Sequence, residues 1–160
     1  MRKSLDVLES MIYYWNTVAE KEKVSEQFID FISQDRGMKA TYDENFDSES
    51  VRKVLSAISN VEPFIGKTLN EGKFWTNNMW MIEKMDYMNM IINPLKRLSV
   101  EDLGEGQVVF LPLQLDLFYK KDNNLYINFF MIEPDEINGT DKLTIEGVEI
   151  KEWIKKNMGK

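Results

Sequence analysis

The hydrophobic period changes once along this 160-residue chain, and that single change constrains the order of its helices and strands. Up to about residue 103, apolar residues recur every three or four positions, the spacing of a helix face. Ser4 is placed to cap a first helix with Leu5, Leu8, Ile12, Trp15 and Ala19 on one stripe. Ser25 is placed to cap a second, with Phe28, Phe31 and Ile32 inward, and Gly37 fits the left-handed position after its end. Residues 37–47 read as a polar loop. Asp47 or Ser48 then begins a third helix with Val51, Val54, Leu55 and Ile58 inside, the cleanest helical pattern of the chain. Pro63 opens a short segment carrying Phe64, Ile65 and Leu69, which Gly72 closes, and Thr76 is placed to cap the next helix. From Met79 to Ile92 nearly every side is apolar, which predicts a buried helix or, alternatively, a pair of strands. Asn93-Pro94 is expected to stop it, before a short helical turn with Leu95 and Leu98.

Beyond this point the period is two. Val109, Leu111, Leu113, Leu115, Leu117 and Tyr119 alternate with Gln114 and Asp116, and Leu125, Ile127, Phe129 and Met131 repeat the pattern. Lys120–Asn124 reads as the hairpin loop between two such strands. Pro112 places the first of them at a sheet edge or at a bulge. A further short strand or hairpin is expected around Gly147. A closing helix comes after it, with Ile150, Trp153 and Ile154 inward, its acids near the start and Lys155 and Lys156 near the end. Helices first and strands later is the α+β order. The expectation is one domain over 1–160: a helical part at about 1–103, a small, mainly antiparallel β-rich part at about 107–150, and a short helix at about 149–158.

Composition narrows the chemistry. The chain has no cysteine and no histidine. Disulfides, thiolate nucleophiles, Ser-His-Asp triads and zinc sites built on His or Cys are therefore excluded. No glycine-rich phosphate loop is present, so no cofactor and no metal is expected. No apolar run reaches membrane-spanning length, and Asp6, Glu9 and Asn16 interrupt any export signal behind Met-Arg-Lys-Ser, so the expected location is cytoplasmic.

The net charge is −7, with 27 acids against 20 basic residues, which opposes a nucleic-acid partner. Residues 101–140 concentrate it, with eight acids against two lysines. A non-enzymatic binding protein that docks on a basic protein partner is the reading this charge supports, an immunity or antitoxin type of inhibitor being the concrete form. Its expected contact residues are Glu101, Asp102 and Glu105, with Asp43, Glu44 and Asp47. Asp43–Asp47 has the spacing that opens a calcium loop, but Ser48 and Val54 stand where an EF-hand needs Gly and Glu, so helix capping is the reading preferred. Trp75 and Trp80 join the candidates because they lie in a belt holding five of the ten methionines, a composition that serves cores and adaptable interfaces alike. Two alternatives stand beside this reading. Glu133, Asp135 and Glu136 cluster at a strand end, where paired carboxylates could serve an enzyme. The Met/Trp belt or the Pro112 strand could instead join two copies into a homodimer or a self-assembling structure.

Overall fold

The computed structural model describes residues 1–135 and 137–159, the side chains of 140 and 141 excepted. Its first element is a strand. Arg2–Ser4 (β1) pairs in parallel with Gln107–Leu111 (β2). Ser4 is thereby drawn into the ladder and does not cap helix α1 (Asp6–Ala19), where Leu5 holds the cap position without a side-chain hydrogen bond. The buried stripe of α1 is Val7, Leu8, Met11, Tyr14 and Trp15, rotated from the expected one so that Ala19 is exposed.

Helix α2 (Glu26–Ser33) starts at Ser25 as predicted, with the Ser25 hydroxyl accepting from the Phe28 amide at 3.2 Å. It buries Ile29, Ile32 and Ser33, and Phe31 faces solvent instead of the core. Residues 37–47 are not simply a loop. Asp35 caps a single helical turn, α3 (Arg36–Lys39), through bonds from the Gly37 and Met38 amides at 2.7 and 3.2 Å. Gly37 thus lies inside a helical turn and ends nothing. A Cβ there would stand 3.4 Å from Leu111 Cδ2 and 3.5 Å from Val109 Cγ1, so the missing side chain lets α3 lie close on β2.

Helix α4 (Ser48–Ser59) matches its expectation, with Asp47 as cap and Val51, Val54, Leu55 and Ile58 buried. Helix α5 (Leu69–Glu83) begins at Thr68, not at Thr76, and Gly72 lies within it. Ile65 and Leu69, expected inward, are exposed. The apolar segment 79–92 is helical, but it is split. A break at Lys84 (φ −120°, ψ 48°) separates α5 from α6 (Met85–Arg97), and both keep a solvent side through residues such as Trp80, Asp86 and Met90. Pro94 does not stop α6; it sits inside it, forfeiting one donor near the end.

The C-terminal half forms two sheets. One is four-stranded in the order β1-β2-β4-β3, with β3 at Phe118–Lys121 and β4 at Asn124–Asn128. Its β1–β2 and β2–β4 pairs are parallel, and β3–β4 is an antiparallel hairpin turning at Asp122 (φ 57°). The other is antiparallel, β5 (Ile132–Asp135), β6 (Gly139–Ile145) and β7 (Val148–Glu149), before helix α7 (Ile150–Met158). The architecture is α+β, with helices mostly in the N-terminal part and a short helix at the end.

The strand expected over 109–119 ends at Leu111, because Pro112 has no amide to continue the ladder. β2 lies inside the sheet, not at its edge, so Val108 and Phe110 are buried as fully as Val109 and Leu111. The loop after β2 turns back over Asn128. The Asn128 carboxamide oxygen accepts from Leu113 and Phe130, and its nitrogen donates to the Asp116 carbonyl at 3.0 Å. Gln114, expected on the outer face, is therefore buried.

Lys3 ties the first strand down. Its Nζ donates to the carbonyls of Leu95, Lys96 and Leu98 at 2.8, 3.0 and 2.7 Å, at the C-terminal end of α6. Three ammonium donors meet three carbonyls of the last turn, of which that of Leu95 also accepts from the Leu98 amide at 3.3 Å, and the positive charge stands at the negative end of the helix. The substitution Lys3→Met keeps the aliphatic stem and removes the cap. Urea denaturation should show a loss of about 1–3 kcal/mol, the worth of charged hydrogen bonds; a midpoint equal to wild type would refute this role.

Candidate functional site

The β1–β2–β4 ladder sets side chains across one sheet face in two rungs. Arg2, Gln107 and Asn124 share the first, and Ser4, Val109 and Tyr126 the second. Asp6 and Val7 from the start of α1, and Asp35, Arg36 and Gly37 from α3, wall this face into a cleft of about 540 Å³, a size suited to a small ligand. Arg2, Ser4, Arg36, Gln107, Asn124 and Tyr126 make no side-chain hydrogen bond or ion pair among the described residues. Asp35 is half committed, its Oδ1 being the α3 cap.

Past Asp6, Val7 and Asp35 the surface continues as a second depression, of about 500 Å³, between α1 and α2. Here the lining is aromatic. Tyr13 and Phe28 pack at 5.0 Å between ring centroids, and Phe31 completes the wall. Tyr13 is 56% exposed and Phe31 64%, which for large apolar side chains beside a groove marks an unfilled surface. Asp6, Glu9 and Asp35 rim it. Neither α1 nor α2 contains a lysine or an arginine.

The acidic residues singled out in the sequence fall into separate sets. Glu101 and Asp102 form a 3₁₀ turn, and Asp102 pairs with Lys151 of α7 at 3.0 Å, a bond that, with its neighbours, holds the Asp102 carboxyl below the usual range. Glu105 is exposed on the turn before β2. Asp43 and Asp47 lie at the α3–α4 connection, where Asp43 pairs with Phe46 in an isolated antiparallel bridge. The Asp43 Oδ1 accepts from the Asn45 and Phe46 amides at 2.8 and 3.1 Å, and Asp47 caps α4. Glu44 between them is exposed. Among the described residues, no ion pair joins the two sets. Trp75 is half-buried against the core, and Trp80, 41% exposed, meets Tyr87 edge-on at 5.0 Å.

Glu133 is exposed on β5. Asp135 accepts from the amides of Ile137 and Asn138, both at 3.1 Å, and from the Asn138 side chain at 3.0 Å, which holds its carboxyl below the usual range. A general acid needs the opposite shift. Glu136 lies outside the described residues.

The α1–α2 groove and the sheet cleft were both missed in the sequence. The available signal was the absence of Lys and Arg from residues 4–20 and 24–35, together with a helical phase that places Ile29 and Ile32, and not Phe31, inward.

A buried carboxylate holds the α4–α5 side in place. Glu71 accepts from Ser50 Oγ at 2.7 Å, from the Lys67 amide at 3.0 Å and from Lys53 Nζ at 3.2 Å. Burial pushes its pKa up, but the three donors outweigh burial and leave it below the ordinary value. Folding therefore favours the ionised form. That contribution is complete above the unfolded pKa and is lost as pH falls through the lower, folded one. Glu71→Gln should cost about 1–3 kcal/mol at neutral pH and flatten the acid limb of the stability–pH curve. Parallel curves for variant and wild type, measured by urea denaturation across the acid range, would contradict it.

Comparison with protein-family models, curated proteins and solved structures finds no match to this chain.

Proposed function

We propose that this chain is a non-enzymatic binding protein that recognises a basic protein partner through the α1–α2 groove. The observation that carries the proposal is the pairing of exposed Tyr13 and Phe31 with two helices that hold Asp6, Glu9, Glu26 and Asp30 and no basic residue. Exposed aromatics in a groove are the usual anchors of binding energy. Asp30 is paired with Arg52 at 3.3 Å, but Asp6, Glu9 and Asp35, which rim the groove, make no ion pair among the described residues. An acidic rim selects a positively charged partner and speeds its approach. The fitting occupant is a segment with an apolar side chain flanked by Lys or Arg. An immunity-type inhibitor of a basic toxin is the concrete form of this reading, and a cytoplasmic setting accords with a chain free of cysteine. No helix among the described residues is long and apolar enough to cross a membrane.

Nothing in the geometry favours a second reading. Asp43, Asp47 and Asp102 are engaged in the fold, so their part in recognition is secondary to that of the groove.

The test is a quantitative pull-down from the native host with wild type, Tyr13→Ala/Phe31→Ala and Glu9→Lys, followed by titration of the captured protein. The expected partner is basic. Its affinity falls with added salt and drops by about 2 kcal/mol for the loss of one aromatic anchor. An acidic partner, or one held equally by the double-alanine variant, would overturn the proposal. So would a wild-type dimer, seen by light scattering, that the double variant abolishes, because a second copy would then fill the groove.

A further inference from the structure

We infer that the sheet-face cleft is a separate binding site for a small zwitterion of the amino-acid type, one anionic and one cationic group a few bonds apart. The cleft is concave and of ligand size, about 540 Å³. Its floor presents Gln107, Asn124 and the phenol of Tyr126, whose polar tips have no partner among the described residues. Tyr126 is otherwise buried, but its hydroxyl is not sealed from solvent, so the tip opens onto the cleft. Neutral donors and acceptors fix orientation in such sites.

The charges define the ligand class. Two arginines line the cleft, Arg2 on the sheet face and Arg36 in α3, and neither is paired with a carboxylate among the described residues. A guanidinium offers a planar fork matched to a carboxylate. Two carboxylates, Asp6 and Asp35, line the same cleft. Asp35 keeps one oxygen beyond the α3 cap, and Asp6 makes no side-chain hydrogen bond or ion pair among the described residues. A simple anion would meet two positive and two negative groups and gain little. A zwitterion satisfies both signs at once: its carboxylate bonds the guanidinium pair and its ammonium the aspartates, while Gln107 and Asn124 serve the atoms between.

The site is distinct from the protein-binding groove in what it takes, so each can fail alone. The experiment is amide-resolved NMR titration of the whole protein with the free L-amino acids in turn, and with acetate and inorganic phosphate as controls. The expected result is saturable shifts at Arg36, Gly37, Gln107, Asn124 and Tyr126 for at least one amino acid. Arg36→Gln and Asp6→Asn should each weaken that binding about ten-fold, one charge-assisted bond each. Both changes lie at exposed positions, and the unperturbed spectrum of each variant reports that it folds. Equal binding of acetate or phosphate, loss of binding in Arg36→Gln alone, or no shift in the cleft with any amino acid would overturn the inference.

Discussion

The three residues of β1 hold the molecule's surface together. Arg2–Ser4 is a minimal strand, yet it forms the outer member of the parallel ladder and aims α1 across the sheet. Three residues of pairing are a small return for closing so long a loop of chain. The remainder comes from Lys3, whose ammonium takes three carbonyls at the end of α6. The Arg2 amide adds a bond to Gly106 at 3.0 Å, and Gly106, with φ 103°, has no room for a Cβ because the Asn123 carbonyl would lie 2.5 Å away. The alternation of a strand then does the sorting: Lys3 points to α6, while Arg2 and Ser4 point to the opposite face, where the cleft opens. Anchoring and site are two sides of one strand.

That strand also shows why the sequence was readable in part. Local signals were reliable where one residue does one local job. Ser25 and Asp47 cap helices, and Val51, Val54, Leu55 and Ile58 mark a buried stripe, because neither depends on distant chain. The failures are tertiary. Ser4 had the chemistry of a cap, but the ladder with Val109 claimed its backbone. Gly37 had the chemistry of a helix end and serves a close approach of α3 to β2. Pro94 should have stopped α6, but the helix runs on three residues to Arg97, where Lys3 meets its last carbonyls. Of the candidate site, the acids were legible as charges and not as bonds. Asp47 and Asp102 look free in one dimension, and in three they are a helix cap and an ion-pair partner.

Acidity on this surface therefore has two meanings. In the α3–α4 connection and the turn after β5, carboxylates replace missing backbone partners, and their charge is a by-product of capping. On α1 the exposed acids do no such work beyond their place in the first turn: Asp6 and Glu9 face solvent beside an aromatic groove with no cation on either helix. A carboxylate without a structural partner costs the fold little while hydrated, and it is free to meet a charge that arrives from outside.

The same distinction separates the cleft from the core. Where this chain buries a polar side chain, it generally satisfies it. Asn78 accepts from Trp15 and donates to Phe74, Asn128 serves three backbone groups, and Glu71 takes three donors. The Oε1 of Gln114 is the exception among the described residues, buried without a partner. Satisfaction of that kind is what removal from water demands. Arg2, Arg36, Gln107 and Asn124 are under no such demand, since each keeps contact with solvent. Their concentration on one concave face is therefore not required by folding. A sheet face covered by α3 over Leu111 could have been covered over Gln107 and Asn124 by apolar residues as well, at a gain in burial. Leaving long, polar, unpaired side chains there forgoes that stabilisation, and the fold offers no structural return for it.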